Sequence, residues 1–267
     1  MQRSVPQHPD FKFSPKTIHH MNITRSGRIK FAPISRTIAN LAAQLLGSTC
    51  ALCGAQQTGI LCQPCRTHHA STAVARCRRC AIAVTMGAAW CGRCVAQPPA
   101  FDASFCATDY APPIDVLVHA LKFGAQLPLA AAMAEQIIRA VTPEAVADAA
   151  VMIAVPLSSQ RLAQRGFNQA HEIAKPIARA LRLPLATALC VRVRDTEPQS
   201  SLPLSERRGN MRGAFSLTRR GVVDGRHVVL VDDVMTTGET LNALATTLKR
   251  YGAARITNLV FARTPER

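Results

Sequence analysis

Two adjacent carboxylates, Asp232 and Asp233, stand between a short apolar run and a turn rich in threonine. The run Val228 to Val231 is typical of a parallel strand buried on both faces, and Leu241 to Tyr251 has the apolar spacing of a packed helix. Where a strand of an open α/β sheet ends and a helix begins, free N–H groups and the helix dipole favour an anion. The sequence therefore predicts a phosphate site at this turn.

The side chains of the turn match the rest of a sugar phosphate. Thr236, Thr237 and Thr240 supply hydroxyl donors. Gly238 lets the backbone curl around an anion without a Cβ in the way. The two carboxylates would repel a phosphate, so hydroxyl groups or a hydrated Mg²⁺ are their expected partners. A phosphate beside a vicinal diol describes a ribose 5-phosphate. The alternative is an ordinary turn in which Asp and Thr cap the helix, although two adjacent acids at a strand end have no capping purpose.

Eight of the ten cysteines form four Cys-x-x-Cys turns. They are Cys50 and Cys53, Cys62 and Cys65, Cys77 and Cys80, and Cys91 and Cys94. Two thiolates of one turn can bind the same tetrahedral Zn²⁺, and two turns complete a closed, structural site. The sequence therefore predicts two structural zinc ions. Sequential pairing of the turns closes the shorter loops, but interleaved pairing stays open.

Within this block, His68 or His69 could replace a cysteine of the second turn. The block has almost no aliphatic periodicity, so we expect metal to replace a core and the ribbons to fold separately from the rest of the chain. Cys106 and Cys190 lie outside the pattern and are predicted to be buried apolar residues.

Length and composition allow a full α/β domain with about 100 residues to spare, because 48% of the 267 residues are hydrophobic. The absence of an apolar run of about 18 residues excludes a spanning helix, and no secretory signal is recognisable. We therefore expect a cytoplasmic protein without membrane insertion. Ten cysteines in that compartment favour metal sites over disulfides.

Four regions follow from the patterns along the chain. Residues 1–35 are predicted to be a basic disordered tail, with Met21 as an alternative start. Residues 36–47 are predicted to form an amphipathic helix, residues 48–96 a double zinc ribbon and residues 101–267 the α/β domain. The domain's other predicted elements are strands at 101–110, 151–155 and 255–262, helices at 114–123, 127–141 and 165–183, an extended segment at 185–193 and a long loop at 194–212.

The segment Leu230 to Leu241 resembles the phosphoribosyl pyrophosphate (PRPP) motif of type I phosphoribosyltransferases. The resemblance implies that Asp232 and Asp233 hold the ribose 2- and 3-hydroxyls, and that the following loop wraps the 5-phosphate. By position, this phosphate loop comprises Met235, Thr236, Thr237, Gly238, Glu239 and Thr240.

Segments spanning about residues 45–262 are similar to the ComF family of zinc-ribbon phosphoribosyltransferase-like proteins. They are the cysteine block, Val118 to Gly124, Val155 to Leu157 with Arg161, Arg165 to Gln169, and Gln199 to Phe215. The family includes ComFC-type proteins, linked to uptake of transforming DNA, and a GntX-type member linked to gluconate use. The resemblance implies an α/β fold with a type I phosphoribosyltransferase-like, mostly parallel sheet. It also implies phosphoribosyl transfer from Mg²⁺-bound PRPP to an unknown acceptor, with pyrophosphate release.

The resemblance further places a pyrophosphate loop at Pro156, Leu157 and Ser158, with Arg161 and Arg165 near the diphosphate. A solvated basic face is the alternative for the two arginines. Residues 196–215 correspond to a flexible loop that closes over PRPP. Its expected site residues are Gln199, Arg207, Arg208 and Asn210.

Several roles stay open at the level of sequence. Lys122 and His119 belong either to the site or to the surface of a short helix, and Glu239 either acts as a base or faces solvent. The sequence identifies neither the acceptor nor the oligomeric state.

The formal net charge of +16 favours polyanionic partners, and about +12 remains if each four-thiolate zinc site carries about −2. The ribbons contribute Arg66, Arg76, Arg78, Arg79 and Arg93. Single-stranded DNA and DNA-uptake proteins are therefore possible partners, although an aromatic content of 4% leaves few stacking platforms. A GC-rich coding sequence would also raise the arginine content. The alternative functions are a non-catalytic nucleic-acid-binding competence factor with PRPP as a sensed ligand, and a purely structural zinc adaptor.

Overall fold

The computed structural model describes residues 48–69, 74–193 and 213–266. A parallel four-stranded sheet forms its centre, and its strands are β3 (Ala103–Asp109), β4 (Ala149–Ala154), β7 (His227–Met235) and β8 (Arg255–Arg263). Their order across the sheet is β3, β8, β7, β4. The predicted tail at 1–35, the predicted helix at 36–47 and the predicted loop at 194–212 lie outside the described residues. That loop includes Gln199, Arg207, Arg208 and Asn210.

In the part of the chain that the structure describes, helices and a hairpin lie around the sheet. The helices are α3 (Ile114–Gly124), α4 (Pro128–Ala140), α5 (Ser159–Arg165), α6 (Gln169–Leu181) and α7 (Glu239–Arg250), and the hairpin pairs β5 (Cys190–Arg192) with β6 (Phe215–Leu217). A 3-10 turn covers Pro143–Ala145. α3, α4 and α6 pack on one face of the sheet, while α7 and the hairpin pack on the other. The α/β fold with a parallel sheet is therefore confirmed.

Successive side chains of β7 point to opposite faces of the sheet, so this strand contributes to the core on both faces. Val228 and Leu230 join the core beneath α7, whereas Val229 and Val231 join the core beneath α4 and α6. All four side chains are fully buried. On α3, Ile114, Leu117, Val118 and Leu121 follow helical spacing and form the buried face of the helix.

Two element predictions need correction. The strand predicted at Val228 to Val231 continues through both acids to Met235, because β8 keeps pairing with it along this whole stretch. The single helix predicted from Arg165 is also wrong: α5 ends at Arg165 and α6 begins at Gln169. Gly166 adopts a left-handed φ of 76° that stops α5, and the Asn168 side chain then caps α6 by accepting the Ala170 N–H.

The cysteine block contains two small units, and its sequential pairing is the one observed. The first unit comprises β1 (Ser48–Thr49), β2 (Gln56–Gln57) and α1 (Gln63–His68), and the second contains α2 (Gly92–Ala96). Cys50 joins the core formed by α3 and α4, where Arg66 NH1 also donates to Glu135 at 3.0 Å. Cys77, Cys80 and Cys94 join the opposite core, beneath α7.

This packing corrects the expectation that the ribbons fold separately from the sheet. Ile82 of the second unit is 3% exposed and lies in the same apolar cluster as Val228 and Leu244. The backbone N–H of Ser104, in β3, also donates to the carbonyl of Arg78. Metal is therefore not the sole substitute for a core, since the second unit completes the core of the sheet. Within the described ranges, none of the helices has the length and apolar character needed to span a bilayer.

Candidate functional site

The candidate site lies at the carboxyl ends of β4 and β7, two neighbouring strands whose chains then diverge. β4 leads through α5 to α6 on one face of the sheet, while β7 leads to α7 on the other. Such a divergence opens a crevice above the strand ends, where ligands of α/β proteins bind. The Val155 N–H donates to the Val231 carbonyl at 2.9 Å, so the predicted pyrophosphate loop starts beside the strand that carries the acids.

The acid pair occupies the end of β7 and is held from two helices. Asp233 is 3% exposed, and its Oδ2 lies 2.5 Å from Nζ of Lys122 on α3. Gln169, the first residue of α6, donates from Nε2 to Oδ1 at 3.4 Å. Asp232 is half-buried and accepts the Asp233 N–H at 2.9 Å. Lys122 is therefore a residue of this site and not a surface lysine.

The surroundings shift the pKa values of the two carboxyl groups in opposite directions. Burial disfavours ionisation of Asp233, but the Lys122 ammonium outweighs it and holds the pKa of that carboxyl below its usual value. Burial and the charge of Asp233 together raise the pKa of Asp232 well above its usual value. One charged and one more readily protonated acceptor can share a vicinal diol with less mutual repulsion than two full charges.

Arg165 extends the polar network towards the predicted pyrophosphate loop. Its NH1 donates to Gln169 Oε1 at 2.9 Å, and its guanidinium lies 5.2 Å from the centre of the Phe123 ring. Burial and the nearby Arg161 lower the pKa of Arg165, and Asp233 opposes them. His119 packs on the same Phe123 ring, with the ring centres 5.4 Å apart, and is itself exposed. The structure thus brings Arg165 to the acid pair but leaves His119 at the edge.

The predicted pyrophosphate loop connects β4 to α5. Ser158 is buried and caps α5 by accepting the Arg161 N–H at 3.4 Å, and Pro156 and Leu157 lie in the short connection between β4 and α5. Asn168 donates to the Val155 carbonyl at 3.0 Å and so fixes the start of α6 to the end of β4. Asn168 therefore caps α6, whereas Gln169 contacts the acid pair.

The predicted phosphate loop runs from Met235 to Thr240 and joins β7 to α7. Gly238 has φ 84°, a conformation that side chains other than glycine rarely adopt. A Cβ there would meet Met235 Sδ at 3.8 Å, so the backbone angle and not space requires glycine. The Glu239 N–H points to Thr237 Oγ1 at 3.4 Å. Glu239 is half-buried at the start of α7, and its role as a base stays a prediction.

Sequence reasoning missed one buried cation beneath this loop. Arg263, the last residue of β8, is 2% exposed and donates to backbone carbonyls of the loop. An arginine at the carboxyl end of a predicted parallel strand is a weak signal for such a role, since the partners are remote in sequence.

Both cysteine groups have the arrangement that zinc requires. In each group the four sulfur atoms lie within 4.8 Å of one another. The pairs Cys53–Cys62 and Cys80–Cys91 are each separated by 3.6 Å between sulfurs, close to the edge of about 3.8 Å of a tetrahedron with Zn–S bonds of about 2.3 Å. His68 and His69 are not among the grouped ligands. Cys106 and Cys190 are buried outside both groups, as expected.

Backbone N–H groups prepare these sites for a cation. Burial opposes ionisation of Cys50, but N–H groups of Cys62, Cys53 and Leu52 lower its pKa to about 6. In the second group, N–H groups of Cys80, Cys91 and Arg79 similarly lower the pKa of Cys77 to about 7 against the effect of burial. Thiolates stabilised near neutral pH bind zinc readily. The residues therefore fit two four-thiolate zinc sites.

A cavity of about 510 Å³ lies beside the predicted phosphate loop. Arg93 and Gln97 of the second cysteine unit form one wall, and Glu239 and Arg250 of α7 form another. The residues lining it include Thr237 and Gly238 but neither acid. Since neither acid lines this cavity, we take the crevice that holds both acids as the candidate site.

Comparisons with known proteins agree with this geometry. Residues 168–267 match the sequence model of the family described as phosphoribosyl transferase domain. The fold and the site thus define a phosphoribosyltransferase-like protein. The chain is 35% identical over 210 residues to the DNA utilization protein YhgH of Escherichia coli O157:H7, which covers 76% of this chain and 90% of the relative.

Two further relatives carry competence names. Competence protein F of Haemophilus influenzae is 32% identical over 191 residues, covering 67% of this chain and 81% of its own. Competence protein ComFC of Bacillus subtilis is 35% identical over 104 residues, covering 39% of this chain and 40% of its own. The chain belongs to the ComF family.

Proposed function

We propose that this protein binds PRPP in the crevice and transfers its phosphoribosyl group to an acceptor, with release of pyrophosphate. The observation that carries the proposal is the buried carboxylate of Asp233 at the end of β7, directly followed by the phosphate loop and α7. A strand end, an acid pair and a helix start in this order suit a diol and a phosphate together.

Each group has a defined part in this proposal. Asp232 and Asp233 accept hydrogen bonds from the ribose hydroxyls, while N–H groups of Met235 to Thr240 hold the 5-phosphate. Arg161 and Arg165 neutralise the diphosphate, and bound Mg²⁺ would neutralise it further. The acceptor forms a bond to the anomeric carbon as the bond from that carbon to the pyrophosphate oxygen breaks. The electron pair of that bond leaves with pyrophosphate. The protein contributes orientation and stabilisation of the positive charge that develops on the sugar.

Replacement of both acids tests the binding part of the proposal. The double variant Asp232→Asn with Asp233→Asn should lose at least about 3 kcal/mol of PRPP affinity, because two charged hydrogen bonds are removed. Calorimetry with PRPP and Mg²⁺ on zinc-loaded protein measures this loss. Asp115→Asn, on α3 but far along it from Lys122, is the matched control and should bind normally. Undiminished PRPP binding by a folded double variant would contradict the assignment of the acids to the PRPP site. A screen for pyrophosphate release over bases and amines tests the transfer reaction.

A second candidate function is the binding of single-stranded nucleic acid. The net charge of +16 favours it, and the names of relatives refer to DNA utilization and competence. Arg78 is exposed, and the guanidinium of Arg79 lies 5.8 Å from the centre of the Trp90 ring. Arg76 is a weaker candidate for DNA contact than the sequence suggested, because it donates to Asp109 at 2.9 Å and is 12% exposed.

The salt dependence of binding tests this second function. Ala at positions 78 and 79 should weaken binding to a single strand and flatten the logarithmic salt slope by up to about 1.4, at about 0.7 for each phosphate contact. The control replaces the exposed pair Arg219 and Arg220 with Ala and removes the same charge elsewhere. An equal loss of affinity for single-stranded nucleic acid in both variants would show that the effect comes from net charge. It would contradict a specific role of the ribbon in this binding.

A further inference from the structure

Arg263 joins three segments of the chain through a single buried guanidinium. Its Nε donates to the carbonyl of Cys80 in the second cysteine unit at 2.9 Å. Its NH1 donates to the carbonyl of Met235 at 3.1 Å and to that of Thr236, both in the phosphate loop. NH1 also lies 2.8 Å from the carbonyl of Thr264. The residue therefore connects the loop, the end of β8 and a zinc-ligand turn.

Burial of a guanidinium is unfavourable unless its N–H groups have hydrogen-bond partners. Arg263 is 2% exposed, and its donors reach backbone carbonyls and the side chain of Cys80. An arginine can donate to several carbonyls at once because its N–H groups point in different directions within one rigid plane. A lysine presents one compact ammonium instead. The arrangement thus depends on the guanidinium shape and not on charge alone.

Peptide geometry links these carbonyls to the ligand side of the loop. In a planar trans peptide, a carbonyl and the N–H of the next residue point in opposite directions. Arg263 draws the Thr236 carbonyl towards the buried interior, so the Thr237 N–H faces the other way. The same bond to the Met235 carbonyl, which also accepts the Thr264 N–H at 3.0 Å, orients the Thr236 N–H. These two N–H groups lie at the start of the loop assigned to the 5-phosphate.

We propose that Arg263 is a positioning residue that orients the phosphate loop and couples it to the second cysteine unit through Cys80. The inference rests on the proposed PRPP site and deepens it. It implies that a change in the cysteine turn alters the phosphate site, because Arg263 is hydrogen-bonded to both.

Arg263→Lys is the main test, and Arg263→Met is the stronger variant. Arg255→Met is the control, because Arg255 lies on the same strand but has a side chain that is 41% exposed and pairs with Asp148 at 3.5 Å. Calorimetry measures the affinity of each full-length, zinc-loaded protein for ribose 5-phosphate and, separately, for magnesium pyrophosphate. Zinc content and thermal melting confirm that each variant is folded.

Arg263→Lys should bind ribose 5-phosphate at least about tenfold more weakly, the effect of one misdirected charge-assisted hydrogen bond. Its affinity for magnesium pyrophosphate should stay within about twofold of the wild type, because that ligand uses the other end of the crevice. A folded Lys variant that binds ribose 5-phosphate like the Arg255→Met control would overturn the positioning role. Equal losses for both ligands would overturn it as well, since they would indicate a general structural role.

Coupling to the cysteine unit is tested with Cys91→Ser, a ligand position of the second group. This change should weaken ribose 5-phosphate binding in the wild type but add little in the Arg263→Lys background, because the connection is already broken there. Fully additive losses would refute the coupling. If the wild type itself fails to bind ribose 5-phosphate or PRPP, the proposed function fails, and this outcome is distinct from a Lys variant that binds normally.

Discussion

Replacement of Lys122 by methionine removes the ammonium beside Asp233 and keeps most of the side-chain stem. Asp233 has a 5% exposed side chain, whereas that of Lys122 is 21% exposed, and the two charged atoms lie 2.5 Å apart. Loss of one partner from a buried pair costs about 3–5 kcal/mol, because an uncompensated charge stays buried. Water reaches Lys122 in part, and Gln169 still donates to Asp233. We therefore expect Lys122→Met to lower the free energy of unfolding by about 2–3 kcal/mol at neutral pH.

The pH dependence of this loss has a definite sign. The folded-state pKa of Asp233 is lowered in the wild type, so its stabilising contribution is fully present above the unfolded value of about 3.9. The contribution disappears as the pH falls through the folded-state pKa. In the variant, burial without the ammonium should raise that pKa. The difference between the two proteins should then be largest near neutral pH and shrink as Asp233 takes up a proton.

Urea unfolding of the two proteins at about pH 7.5 and about pH 5 measures this difference. Lys249→Met is the matched control, because Lys249 pairs with Asp102 at 2.9 Å but the two side chains are 31% and 45% exposed. An exposed pair contributes about 1 kcal/mol or less. Adding Asp233→Asn to Lys122→Met should restore much of the lost stability. The reasoning fails if Lys122→Met costs no more than the control, or if its cost is the same at both pH values.

Further predictions concern the cysteine sites. Elemental analysis should find about two zinc ions per chain, and a value of zero or one would contradict the two groups. The affinity of the first group for zinc should weaken as the pH falls below about 6, because Cys50 of the metal-free group then takes up a proton that zinc must displace. Cys77→Ser should lower the melting temperature of the whole chain, because Cys77 is fully buried in the core beneath α7. Cys53→Ser, at an exposed position, should have a smaller effect, and equal shifts would contradict the shared core.

The sequence by itself determined the features that depend on neighbours along the chain. A Cys-x-x-Cys turn brings two thiols together within four residues, and a strand, a polar turn and a helix in succession form locally. The acid pair, the turn that follows it and the helix at 114–123 could therefore be recognised without coordinates. Strand ends were less certain, because pairing with β8 and not the local pattern carries β7 past Asp232 and Asp233.

The tertiary structure decided which distant groups meet. Lys122 could equally have been a surface residue until α3 was packed against the end of β7. Sequential pairing of the cysteine turns and the shared core of the second unit also depend on how segments pack. The bond from Arg263 to Cys80 joins residues 183 positions apart. Side chains reach only a few ångströms, so such contacts exist only after the whole sheet has brought those segments together.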